Sequence, residues 1–242
     1  LLGLLFSMTM VTLSQHLGLF WVAIEASTLV SAPLINFHRR PQALEATWKY
    51  LVIGSVGIAL ALLGTFFLAI SAGQTKSLLL SDVLKQAPLL SVPWLKLSVL
   101  FLVVGYGTKM GLVPMHSWKP DAYGEAPGPV GALLAGGLTN CAFLAFLRIS
   151  QICHEAGQTE FLRPILLTLG ILSIGLASFS MLGQVDFNRL LAYSSIEHMG
   201  ILILGLGVGG LGVYGSLFHA VNNAFSKGLI FLISGNLYQK YQ

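Results

Sequence analysis

Apolar runs alternate with short polar breaks along the whole chain, and their spacing predicts about eight helices. Residues 1–14 form an apolar segment too short to cross a bilayer core, which needs about 20 residues. After a turn at Ser14-Gln15-His16, residues 17–37 reach that length and stop at the basic turn His38-Arg39-Arg40-Pro41. A third helix is expected from Leu44 to Ser71, with Trp48 and Lys49 at its interfacial start. Residues 73–93 are a long polar connection holding Lys76, Asp82, Lys85, Pro88 and Pro93. A fourth helix starts at Trp94, and Pro114, which has no backbone N–H to donate, breaks it just past Lys109. The fifth runs from Pro129 to Ser150, and the connection His154 to Pro164 leads to a sixth ending near Gly183. Gln184 to Arg189 open a seventh that reaches Leu206, and the eighth covers residues 211–235.

Composition turns this pattern into a class. Of 242 residues, 55% are hydrophobic and 9% charged, where a soluble domain carries about 25% charged residues. The chain reads as an all-α, multi-pass membrane protein. Its net charge of +4 is scattered over helix ends and spans, without the basic patch that nucleic-acid binding requires. Positive charge on short loops places the Arg39-Arg40 turn, and with it the Lys119 loop, in the cytoplasm, with Arg189 and Lys240 on the same side. Lys76, Lys85, Lys96, Arg148 and Arg163 fall on the other. Cys141 and Cys153 lack metal-ligand spacing and read as packing residues. Gly207-Val-Gly209-Gly210-Leu-Gly212 spells a dinucleotide fingerprint but follows a membrane helix rather than a strand, so it reads as a turn. No cofactor motif is found. The chain begins at Leu1 without a basic n-region, so residues 1–14 read as a truncated helix rather than a signal peptide, and the sequence as an internal fragment.

The chemistry lies in ionisable residues inside spans, which are costly there and mark transport paths by default. Lys109 sits beside the break, and broken helices at membrane depth line wet cavities or lie buried in protein. Glu25 stands at mid-helix, where a carboxylate needs either a proton or a cation, and Lys109 is the candidate cation. His219, Asn223 and Lys227 share one face of the eighth helix. Ser194, Ser195 and His198 cluster on the seventh, with Glu197 beside them. An imidazole accepts a proton on one nitrogen and releases one from the other, so the set reads as a polar axis through the bundle.

These residues carry a resemblance. Lys109, then His116-Ser-Trp118-Lys-Pro120-Asp121-Ala and Ala126-Pro-Gly-Pro-Val130, is similar to the pattern of the antiporter-like proton-pumping subunits. That family is shared by respiratory complex I, multisubunit sodium/proton antiporters and membrane-bound hydrogenases. Leu191-Ala-Tyr-Ser-Ser-Ile-Glu-His198-Met-Gly200 and the stretch His219 to Lys227 resemble two further signatures. Trp21-Val-Ala-Ile-Glu25-Ala-Ser-Thr and Leu44-Glu45-Ala-Thr-Trp48-Lys49-Tyr look most like the hydrogenase-4 component F type. The resemblance implies two inverted five-helix repeats, the first in residues 1–151 and three helices of the second in 162–242, with the second broken helix beyond Gln242. It implies that Glu25 modulates Lys109, the first-channel lysine, and that His219 and Lys227 belong to a central relay, which His198 joins from its place on the seventh helix. Asn140 and Asn223 depart from the family, standing where relatives often have protonatable residues. An amide binds water but carries no proton at neutral pH. The function implied is proton translocation in a redox-driven complex of the prokaryotic inner membrane. Its partners would be other membrane subunits and peripheral redox subunits, with no cofactor in this chain. A sodium/proton antiporter subunit and a non-pumping scaffold are the alternatives.

Overall fold

Each apolar run folds as a helix because the interior of a bilayer leaves backbone N–H and C=O groups no other partner. The computed structural model describes residues 1–73 and 77–241, so Lys76 and Gln242 lie outside the described residues. Among these, the elements are α1 (Leu2–Leu13), α2 (Leu17–Ile35), α3 (Pro41–Ser71), α4 (Leu80–Gln86), α5 (Val92–Met110) and α6 (Trp118–Glu125). They continue with α7 (Gly128–Leu133), α8 (Thr139–Glu155), α9 (Thr159–Met181), α10 (Phe187–Val208) and α11 (Leu211–Tyr241). Among the described residues there is no strand, and the chain is an all-α membrane protein. α7 and α8 are one continuous rod, joined through a π-turn at Leu134–Leu138. The eight anticipated helices are thus α1, α2, α3, α5, α7–α8, α9, α10 and α11. Among the described residues, five have the length and apolarity to cross a bilayer: α2, α3, α7–α8, α9 and α10.

Two neighbourly contacts set the bundle. α5 lies against α3 because Gly105 has no side chain, and a Cβ there would stand 2.6 Å from the Gly57 carbonyl oxygen. α9 lies against α10 in the same way, Gly170 facing the Gly200 carbonyl. Such close backbone approach is how membrane helices gain packing contacts where lipid is as apolar as leucine. Leu19, Val22, Leu29, Phe66, Phe218 and Phe225 remain exposed on the outer face, as a lipid-facing surface requires.

Several expectations need correcting. The break falls just past Lys109 as expected, but α5 is closed by Gly111, in the left-handed region at φ 79°, ahead of Pro114. The N–H groups of Gly111 and Leu112 both return to the Gly107 carbonyl at 2.9 Å, which closes the helix before the proline is reached. The stretch read as a loop holds α6, because Pro120 falls in its first turn, where its missing N–H has no intrahelical partner to lose. The polar connection holds α4, and it is tied to the α1–α2 turn by Leu17 N–H to Leu78 O and Leu80 N–H to Gln15 O, both 2.9 Å. Arg148, expected at a helix end, is buried in α8, where its Nη2 donates to Ser14 O at 2.6 Å over the Phe20 ring.

Candidate functional site: a buried lysine at a helix break and a histidine pair

Lys109 is the penultimate residue of α5 and is 2% exposed. Its Nζ donates to Thr28 Oγ1 on α2 at 2.7 Å and to the Tyr50 hydroxyl on α3 at 2.8 Å. The amine stands 4.7 Å from the Tyr50 ring centre, a cation–π contact as well as a hydrogen bond. The Tyr50 hydroxyl in turn bonds Ser31 Oγ at 2.7 Å, and the ring packs on Trp118 at 5.0 Å between centres.

The break makes this cage possible. Ending a helix inside a membrane leaves carbonyls that must be satisfied by protein. Trp118 Nε1 donates to Thr108 O at 2.8 Å, and Lys119 Nζ donates to Met110 O at 2.9 Å. Beyond the turn, Val113 N–H donates to Ser173 Oγ on α9 at 3.0 Å. Lys119 was assigned to a cytoplasmic loop from the sequence; it is fully buried and points back into the bundle.

Glu25 is not the partner of Lys109. Its Oε1 accepts from Ser55 Oγ on α3 at 2.8 Å, and Oε2 is buried without a hydrogen-bond partner. Among the described residues no carboxylate lies within 4.0 Å of the Lys109 amine. The link is indirect: Glu25 stands one turn from Thr28 on α2, so the acid and the lysine share a face of polar hydroxyls.

The second cluster joins α10 to α11. His198 Nδ1 and His219 Nε2 are 2.9 Å apart, with ring centres at 5.0 Å. Lys227 Nζ donates to Ser194 Oγ at 2.6 Å. The helical spacing anticipated both faces, and the structure brings them together. Ser195 Oγ is buried without a partner. Beside the histidines, Asn140 Nδ2 of α8 donates to Gly136 O at 2.9 Å and to Ala220 O at 3.4 Å, next to His219. Its Oδ1 has no partner, and neither end of the buried Asn223 amide has one. Asn140 follows the π-turn, whose Gly136 lies so close to α11 that a Cβ would meet Ala224 O at 2.8 Å.

The remaining loop residues divide. Trp118 and Pro120 are buried, Pro114 is exposed, and His116 Nδ1 is buried without a partner. Asp121 belongs to a different site, near one end of the bundle, where it pairs with Lys49 of α3 at 3.0 Å and Arg189 of α10 at 2.9 Å. Thr28 and Tyr50 were missed by sequence reasoning; the i, i+3 spacing from Glu25 to Thr28 was the available signal. Lys119 was visible only as a charge in a loop.

Known proteins share this fold. The chain is 38% identical to a hydrogenase-4 component F homolog of Methylacidiphilum infernorum, over 98% of this chain and 51% of that protein. It superimposes on a chain of the membrane-bound sulfane sulfur reductase, an archaeal respiratory membrane complex, with a TM-score of 0.91 at 25% identity, covering 97% of this chain and 48% of that one. On a chain of respiratory complex I from Thermus thermophilus the TM-score is 0.81 at 32% identity, covering 97% and 50%. The chain therefore spans about half the length of the proteins it matches. Residues 14–242 match the family described as NADH:quinone oxidoreductase/Mrp antiporter, TM, and the chain belongs to that family of antiporter-like membrane subunits.

Proposed function

We propose that this chain is a proton-translocating subunit of a redox-driven complex in a prokaryotic inner membrane, of the complex I or hydrogenase-4 kind. Its path runs through Glu25, Lys109, the His198–His219 pair and Lys227. The observation that carries this reading is Lys109 itself. It is a lysine at 2% exposure, at a helix break, held by hydroxyls rather than by a carboxylate. Hydroxyls accept from an ammonium and donate to an amine, so the cage accommodates both protonation states. At the histidine pair, one ring nitrogen donates to the other. A proton taken up on the outer nitrogen of one ring can then leave from the outer nitrogen of its neighbour. Asn140 and Asn223 carry no proton, but their unpartnered amide atoms offer the bonds that water needs to bridge the lysine cage to the histidines. The inverted repeats over 1–151 and 162–242, and the redox chemistry of partner subunits, belong to the same proposal.

The test is Lys109→Met in the assembled complex, reconstituted in vesicles, with proton uptake and electron transfer followed together. Assembly is expected to persist while uptake per electron is lost. Normal uptake by a correctly assembled variant would refute the path and leave a scaffold role standing. Uptake that follows sodium instead of protons would assign the other ion.

A further inference from the structure

A groove of about 800 Å³ opens between α2 and α3, beside the turn that joins them. Away from the turn its walls are apolar, Leu29 and Pro33 from α2 facing Leu44 and Leu51 from α3. At the turn it is basic, lined by the exposed Arg39 and Arg40. Among the described residues no carboxylate lies within 4.0 Å of either guanidinium. Arg40 gives one N–H to the Tyr238 hydroxyl at 2.8 Å, out of the set of donors that an arginine carries. Arg39 holds φ 51°, in the left-handed region that a non-glycine residue seldom adopts and that recurs where ligands are clamped. Asn36 lines the same groove, and its Oδ1 is buried without a hydrogen-bond partner, an acceptor in need of a donor.

The extent of the groove selects its occupant. From Pro41 to Leu51 it follows α3 for about 15 Å, at about 1.5 Å per residue. That is half of a hydrocarbon core about 30 Å thick, the depth of one leaflet. A partner helix crossing the membrane would need a track over the whole core, and this one stops midway. A lipid of one leaflet matches each feature: a phosphate for the arginines, a headgroup donor for Asn36 and an acyl chain for the leucines. Arginine suits the first task because its planar fork grips phosphate oxygens in pairs.

We propose that this groove binds one anionic phospholipid, of phosphatidylglycerol chemistry, drawn from the surrounding bilayer. Its phosphate is held by Arg39 and Arg40, a headgroup hydroxyl donates to Asn36 Oδ1, and one acyl chain lies along the apolar walls. Its negative charge answers two cations that no carboxylate pairs, and a choline headgroup would offer Asn36 no donor. Ala32 and Thr47, also on the groove walls, stand one turn from Thr28 and Tyr50, so the lipid backs the two helices that hold the lysine cage. Lipid binding there does not depend on the proton path.

The test places the assembled complex in phosphatidylcholine vesicles holding phosphatidylglycerol with a photoreactive group on one acyl chain, and maps the adducts by mass spectrometry. Saturable labelling of residues 29–51 is expected, competed by unlabelled phosphatidylglycerol and not by more phosphatidylcholine. Arg39→Gln together with Arg40→Gln is expected to raise the half-saturating mole fraction about 30-fold, roughly fivefold for each arginine. Leu44→Trp narrows the groove and keeps both arginines, and it too should lose most of the label. Wild-type labelling of Leu44→Trp would mean that the arginines only gather anionic lipid at the membrane surface, and overturns the proposal. So do equal competition by phosphatidylcholine, wild-type labelling of the double arginine variant, and a wild-type stretch that takes no label because protein covers it in the complex. Should the variants not assemble, the competition in the wild type decides.

Discussion

Leaving a buried amide without partners costs on the order of 1–3 kcal/mol per orphaned group. A helix that only packed would therefore favour an apolar residue at position 223, where Asn223 is 3% exposed with both amide atoms unpartnered. This cost separates stability from transport. Asn223→Leu is expected to leave the thermal midpoint of the assembled complex unchanged or raised, while proton uptake per electron falls severalfold because the amide no longer holds water in line. A variant that melts earlier and pumps normally would show that Asn223 serves packing. At this scale the sequence was half legible. In-span Glu25, Lys109, His198, His219 and Lys227 stand out because ionisable groups are rare there. The pairing of Glu25 with Ser55 did not, because residue spacing fixes which side chains share a helix face but not which face meets which neighbour.

At the scale of elements, long apolar helices could be read directly, because length and hydrophobicity alone define them. The short ones could not. α6 contains Pro120 and Gly124, residues that read as loop until the first-turn position of the proline is known. The π-turn before Asn140 has no sequence signature and is set by the contact of Gly136 with α11. The break just past Lys109 could be read, but its cause could not: Pro114 reads as the breaker, whereas a left-handed Gly111, its own N–H and that of Leu112 both returned to the Gly107 carbonyl, ends the helix sooner. Gly111→Ala tests that cause. A non-glycine residue in the left-handed region costs roughly 1–2 kcal/mol, and the new Cβ would also press on Lys119 Cδ at 2.6 Å. The expected result is a lower thermal midpoint for the detergent-solubilised complex, together with weakened proton uptake. An unchanged midpoint would return the break to the proline.

Among the described residues, buried lysines contrast with one cluster of paired charges around Asp121. Lys109, Lys119 and Lys227 are buried, while Asp121 gathers Lys49 and Arg189 and so ties α3, α6 and α10 together. Lys49 also meets Glu45 at 2.8 Å, and Arg40 donates to the Tyr238 hydroxyl at 2.8 Å, which joins the start of α3 to the end of α11. The tally of positive charges placed Arg39, Arg40, Lys119 and Arg189 on one side; the fold keeps Arg40 and Arg189 in these contacts and turns Lys119 inward. Charge counting could not make that distinction, because it weighs a lysine equally whether its amine reaches water or a helix end. The Asp121 carboxylate is 22% exposed, so its two pairs are open to screening by salt. Asp121→Asn takes the carboxylate from between Arg189 and Lys49 and leaves Lys49 with Glu45 alone. Its thermal midpoint is therefore expected to fall in low salt, and the difference from wild type to shrink as salt rises. Melting curves of the assembled complex in low and high salt measure this. An equal loss in both would mean that Asp121 holds these helices by the shape of its hydrogen bonds, and that the cluster is not an electrostatic clamp.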